Sequence, residues 1–198
     1  NMAMPMSGFG YIFVLLTMWW VMMIAMMLPS AAPTILLAAA LNRRSTLGRP
    51  PYGSAAFFTI GYLFAWFLFS LVAMVGQLVL ESSGLMTAMM HSNSITLSAG
   101  LFIAAGIWQF FPIKQACLRH CRSPVDFITR HRRPGNRGAL LMGSEHGTYC
   151  LGCCWFLMAL LFAGGVMNLY WIAGLALFVL IEKLLARGVW FGRIAGAG

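Results

Sequence analysis

The stretch from Phe9 to about Leu41 carries no charged side chain. It is longer than the roughly 20 apolar residues with which an α-helix crosses a bilayer. A backbone in hydrocarbon must satisfy its own hydrogen bonds, and the alternating pattern of a barrel strand is absent, so such a segment folds as a helix. Only 9% of the 198 residues are charged, against about 25% in a soluble domain. The sequence therefore predicts an all-α, polytopic membrane helical bundle.

Similar apolar segments recur along the chain, separated by prolines, glycines and polar stretches. Pro29 and Pro33 interrupt the first of them, so its helix is expected to end near Leu28 and to continue as a kinked or interfacial segment. The first helix is expected to be retained, because it lacks the basic start of a signal peptide. We predict a single integral membrane domain over residues 1–198 with about five transmembrane helices. The predicted spans are 9–28, 54–80, 95–113, 149–166 and 169–185.

The basic residues indicate an orientation. Thirteen Lys and Arg give a net charge of +9, and they fall mainly in two loops and at the C-terminus. They do not cover a folded face, so nucleic acid is not an expected partner. The stretch 82–94 holds no Lys or Arg, whereas the basic loop 114–148 holds seven. The positive-inside rule then predicts an N-terminus outside, a cytoplasmic loop and a cytoplasmic C-terminus, in the lipid bilayer of a bacterial inner membrane.

All five cysteines lie in two clusters at the ends of this loop: Cys117 and Cys121, then Cys150, Cys153 and Cys154. On a helix, spacings of three and four residues place each cluster on one face. Thiolates select Cu(I), zinc or iron–sulfur centres, and a reducing cytoplasm disfavours a structural disulfide. We predict that the clusters fold together into one soft-metal site, for copper rather than zinc. The competing interpretation is that some of these cysteines only pack.

Four further residues are candidate metal ligands. His120 and His146 lie within the two clusters, and each could replace a thiolate. Methionines recur at helical spacing in the first apolar stretch, among them Met22 and Met26, and thioethers are soft ligands for Cu(I). Methionine also fills gaps between helices, which is the competing interpretation of this stripe.

Polar residues inside the apolar segments are expected to pair with one another. Glu182, near the inner end of the last span, is expected to pair with Lys183 or Lys114 rather than to act as an intramembrane acid. Gln77 and Gln109 are expected to form hydrogen bonds between helices.

Several motifs that mark particular classes of enzyme are missing from the sequence. The chain has no Walker loop, dinucleotide glycine pattern, Ser/His/Asp set or HExxH motif. We therefore expect no enzyme, but a membrane protein that handles or delivers a soft metal. The alternative is an accessory structural subunit of a larger respiratory or photosynthetic membrane complex, in which the cysteines staple a loop. A redox enzyme that uses a neighbouring cysteine pair such as Cys153 and Cys154 is a third hypothesis.

The cysteine blocks also carry a resemblance that extends over nearly all of the chain. The matching segments are 20–30, 109–124, 147–158, 167–169 and the pair Glu182-Lys183. Taken in order, they resemble the DUF2182 family of predicted metal-binding integral membrane proteins. The resemblance implies metal binding at the five cysteines, with the methionines of 22–27 as further candidates, and it implies no particular reaction.

Overall fold

The computed structural model describes residues 8–43, 54–84, 95–131 and 133–184. Almost all of these residues are helical and none forms a strand, so the predicted all-α class is confirmed. Eight helices follow one another in this part of the chain: α1 (Gly8–Arg43), α2 (Ala55–Ser82), α3 (Ile95–Phe110), α4 (Pro112–Arg122), α5 (Pro124–Arg130), α6 (Gly135–Ala159), α7 (Leu161–Gly164) and α8 (Leu169–Leu184).

Three segments in the described ranges are long and apolar enough to cross a bilayer: Gly8–Leu41, Ala55–Ser82 and Gly135–Gly164. A fourth is formed if α3 and α4, which meet at an angle of 69°, are counted as one broken span. Helix α8 has 16 residues, fewer than the roughly 20 that span a bilayer. The described helices thus fit a membrane protein with three or four spans, and the predicted count of five is not reached.

Helix α1 does not end at Leu28. It continues unbroken to Arg43 through Pro29 and Pro33, both of which point away from the protein interior. Proline removes a backbone hydrogen bond, but packing and nearby hydroxyls can compensate in apolar helices. Here the helix is packed against α2 and α5. The predicted break is therefore replaced by one long helix.

The stretch predicted as a basic loop, 114–148, is largely helical. Pro112 and Pro124 occupy the first positions of α4 and α5, where the fixed proline φ favours helix initiation. Helix α5 buries Phe127 and Ile128, and α6 begins at Gly135 instead of near residue 149. The many charges of this stretch favoured a loop in the prediction. The helical spacing of its few apolar residues decides the structure instead.

Glycines let α2 and α6 pack backbone to backbone. A Cβ atom added to Gly143 of α6 would lie 1.9 Å from the Phe58 carbonyl oxygen, and one added to Gly61 of α2 would lie 2.1 Å from the Leu140 carbonyl oxygen. One turn further along α6, Gly147 meets Tyr62 and Ala65 in the same way. Small residues at such positions permit the closest approach of two apolar helices. This seam fixes α6, and with it three cysteines, against α2.

Contacts along the helices also give their relative directions. Trp19 of α1 donates to Gln77 near the end of α2 at 2.7 Å, whereas Tyr62 near the start of α2 reaches Met27 further along α1. Helix α1 is therefore antiparallel to α2, and the expected interhelical role of Gln77 is confirmed. Ser30 of α1 contacts Lys183 near the end of α8, and the earlier residues Val14 and Leu169 border one groove, so these two helices run the same way. Which end faces the cytoplasm stays a prediction.

Candidate metal site

Cys150 lies at the centre of a buried group of sulfur atoms. Its Sγ is 2.8 Å from Nζ of Lys183 on α8 and 3.1 Å from the hydroxyl of Tyr62 on α2. Cys121 of α4 packs against the core cluster that contains Cys150 and Cys153. Four helices thus bring polar or sulfur atoms to one point, and the predicted approach of the two cysteine clusters is present.

The three cysteines of α6 share one buried face, as their spacing predicts. The thiols of Cys153 and Cys154 both donate to the Cys150 carbonyl oxygen, at 3.0 and 2.8 Å. The Cys154 sulfur is also 4.0 Å from the thioether sulfur of Met27 on α1. Sulfur atoms from α1, α4 and α6 therefore lie in one region.

Cys117 lies at the edge of this group. A Cβ built on Gly152 would be only 2.8 Å from the Cys117 sulfur, so this thiol rests against the bare backbone of α6. Cys117 and Cys121 are partly exposed, whereas the three α6 cysteines are buried, and all five are free thiols. The sulfur group therefore extends from the protein surface into the core.

A buried ion pair holds α4 in this position. Nζ of Lys114 lies 2.6 Å from a carboxylate oxygen of Glu182 on α8, and both side chains are buried. Lys114 also donates to the side-chain oxygen of Gln109 at the end of α3. The expected pairing of Glu182 with one of two lysines is confirmed, with Lys114 as the partner. Lys183 is left to contact the sulfur atoms.

Comparison with known proteins supplies the family. The model of the PpoB2 family, described as copper chaperone, matches residues 16–198. The chain belongs to this copper chaperone family. The matched range includes all five cysteines, Met27 and Lys183. Comparison with curated proteins and with solved structures gave no match. The resemblance to a metal-binding family is thus confirmed as membership of a copper-related one, and this membership favours copper and gives zinc no support.

The donor atoms suit the cargo of a copper chaperone better than a zinc ion. Thiols and a thioether are soft ligands that select Cu(I), whereas a structural zinc site needs four ligands in a tetrahedron. Among the described residues, no three His, Cys, Asp or Glu side chains are arranged to hold a metal ion. Cys153 and Cys154 turn their thiols toward the Cys150 carbonyl oxygen of their own helix.

The two candidate histidines have different surroundings. His146 is buried one turn before Cys150, among the rings of Phe58, Tyr62 and Phe127. Its Nδ1 has no hydrogen-bond partner among the described residues, which leaves an unsatisfied nitrogen close to the sulfur group. His120 instead stacks on Tyr149, with ring centroids 4.3 Å apart, and its Nδ1 contacts the Ala116 carbonyl oxygen at 2.9 Å. His146 is thus the histidine near the sulfurs.

The methionine stripe of the copper chaperone divides between two environments. Met22 borders an open apolar groove of about 650 Å³ between α1 and the start of α8, and Met26 is buried in the core. Met27 lies beside Cys154. Sequence reasoning named Met22 and Met26 as candidate ligands and included Met27 only as a member of the 22–27 stripe, since the rotational position of α1 is set by its packing. Tyr62 and Lys183 were also missed as neighbours of the sulfur group, although a lysine in an apolar segment was a visible signal.

Proposed function

We propose that this chain is an integral membrane protein that binds Cu(I) as cargo through its grouped sulfur atoms and delivers it to a partner protein. Membership of the copper chaperone family supports copper handling, and the long apolar helices support a place in the membrane. The likeness of the cysteine motifs to the DUF2182 family agrees with this role. The proposed role is binding and delivery, with no catalytic step, and the proposed location is a bacterial inner membrane.

The observation that carries the proposal is the meeting of α4 and α6 thiols. Cys117 and Cys121 pack against the core cluster that holds the three α6 cysteines, although the two cysteine clusters are far apart in the chain. Met27 adds a thioether from α1 at the far side of Cys154. A group of thiols and one thioether, with Lys183 as the cation beside it, binds a soft monovalent ion more readily than a hard divalent one.

The sulfur atoms differ in how deeply they are buried, and this difference gives copper transfer a direction. Cys117 and Cys121 are partly exposed on α4, whereas Cys150 is buried below them. Cu(I) accepts low coordination numbers, so it can move between neighbouring sulfurs by ligand exchange without ever being free. We expect the α4 thiols to exchange copper with a partner and the α6 thiols to retain it.

The test is copper binding by the purified full chain in detergent micelles under reducing conditions. Wild type is expected to retain Cu(I) against washing, while Cys150→Ser and Cys121→Ser lose most of it. Cys117→Ser, at the edge of the group, is expected to have a smaller effect. The matched control is Ser70→Ala, a buried residue of α2 whose hydroxyl bonds only its own helix at Trp66.

Retention of copper by both cysteine variants at the wild-type level would refute sulfur-based binding. If the chain instead binds no copper but co-purifies in fixed ratio with one membrane complex, the accessory-subunit hypothesis is favoured. Zinc content measured in the same samples distinguishes a loop staple from copper cargo.

A further inference from the structure

Lys183 is a buried cation without a carboxylate partner. Its side chain is buried, and its Nζ donates to Cys150 Sγ at 2.8 Å and to Ser30 Oγ at 3.1 Å. A buried charge is costly unless it is paired. The neighbours that could compensate it are Cys150, Cys153, Cys154 and Tyr62.

All four acidic side chains of the chain are engaged elsewhere. Glu81 accepts hydrogen bonds from Tyr11 and Gln77, Asp126 pairs with Arg130, Glu145 with Arg133, and Glu182 with Lys114. The adjacent Glu182 is therefore held by α4 while Lys183 points to the sulfurs. This division leaves the Cys150 sulfur as the closest partner of the ammonium group.

A copper ion bound to Cys150 would lie close to the Lys183 ammonium. A metal–sulfur bond is about 2.3 Å long, so Cu(I) on Cys150 would lie within a few ångströms of Nζ. Like charges about 4 Å apart repel appreciably in a medium of low polarity. Ser30 offers the ammonium a second acceptor on the far side, to which it is already bonded.

We propose that Lys183 is a positioning residue that exchanges with Cu(I) at Cys150 and thereby promotes copper release. This inference rests on the proposed copper binding. On binding, Cys150 acts as the thiolate partner of the ammonium, so no proton is transferred: Cu(I) leaves its donor ligand, the N–H···S hydrogen bond breaks, the Cu–S bond forms and the ammonium is held by Ser30. On release, the Cu–S bond breaks, copper leaves as Cu(I) with the accepting ligand, and the N–H···S hydrogen bond forms again. No electron is transferred in either direction.

Two substitutions should change the release rate in opposite directions. Lys183→Leu removes the cation that repels copper and stabilises the vacated sulfur, and it introduces no soft ligand that could bind Cu(I) itself. Copper release is therefore expected to slow by about tenfold or more. Ser30→Ala removes the alternative acceptor and is expected to speed release severalfold, because the displaced ammonium then lacks its second partner.

The measurement is the rate at which the copper-loaded full chain loses Cu(I) to an excess of a chromogenic Cu(I) chelator. Lys183→Arg, which retains a cation, should release copper faster than Lys183→Leu. In the Lys183→Leu background, Ser30→Ala should have no further effect. Ser70→Ala is the matched serine control, since that buried hydroxyl bonds its own helix at 2.9 Å and no cation is its partner.

Release from Lys183→Leu at or above the wild-type rate would overturn the inference, and so would an unchanged rate in Ser30→Ala. A merely structural role for Lys183 predicts faster loss in both variants and no interaction between them. Failure of the proposed function has another signature, which is wild-type protein that retains no copper at all.

Discussion

The thioether sulfur of Met27 and the thiol sulfur of Cys154 lie 4.0 Å apart, joining α1 to α6. Both side chains are buried, and the carbonyl of Met27 also accepts a hydrogen bond from Tyr62 at 3.1 Å. Met27 is thereby fixed at the inner side of the sulfur group. Of the methionines in α1, this is the one that we expect to bind copper.

Replacing Met27 by leucine should lower the affinity for Cu(I) by about tenfold while leaving the fold intact, because leucine keeps the volume but removes the soft donor. Competition with a chelator of known affinity measures the change. Met22→Leu is the control, since Met22 borders the open groove. A larger loss of affinity in Met22→Leu than in Met27→Leu would place the copper path along the groove instead.

The glycine seam between α2 and α6 should be sensitive to a single methyl group. Gly143→Ala would place a Cβ 1.9 Å from the Phe58 carbonyl oxygen, and neither backbone can move without separating the helices. We expect a loss of about 3 kcal/mol in the free energy of unfolding, toward the upper end of overpacking costs. Unfolding in detergent, followed by circular dichroism, measures it.

Gly76→Ala is the matched control for this seam. A Cβ at Gly76 of α2 would meet nothing within 4 Å, and alanine is the better helix former. Its stability should be equal to wild type or slightly higher. Equal losses in Gly143→Ala and Gly76→Ala would mean that the effect comes from glycine in helices generally and not from this contact.

Much of the fold follows from apolar length alone. The segment predicted at 54–80 is found as Ala55–Ser82, because a long uncharged run has few alternatives to a helix. The packing of Cys121 against the cluster that holds Cys150 also agrees with the sequence, since the paired spacings place each cluster on one helical face.

Other features depend on contacts that the sequence does not display. Met27 lies 4.0 Å from Cys154 because packing sets the rotation of α1. Lys183 contacts Cys150 because Glu182 is already paired with Lys114. The spacing of the residues in the sequence could not decide which of the two lysines pairs with Glu182. The stretch 114–148 was predicted as a loop because it is rich in charged residues, although Phe127 and Ile128 supply the buried face of its helices.

Gly152→Ala should displace Cys117 without disturbing the centre of the sulfur group. The new Cβ would lie 2.8 Å from the Cys117 sulfur, which can rotate away, whereas Cys150 faces another direction. We expect Cys117 to react severalfold faster with a thiol-alkylating reagent, detected by mass spectrometry of the modified peptide. Gly100→Ala, whose Cβ would meet nothing within 4 Å, is the control and should leave the rate unchanged.

The buried pair of Lys114 and Glu182 should be the most sensitive ion pair among the described residues. Its side chains are 0% and 2% exposed, so Glu182→Gln would leave a buried ammonium without its counter-charge. Breaking such a pair costs about 3–5 kcal/mol, and we expect a loss of this size together with weaker copper retention, because α4 carries Cys117 and Cys121.

Asp126→Asn removes the carboxylate of an exposed pair with Arg130 and should change stability by at most about 0.5 kcal/mol. The double variant Lys114→Met with Glu182→Met should recover part of the stability, since no isolated charge remains. Similar losses in Glu182→Gln and Asp126→Asn would show that the ion pair does not hold α4 against α8.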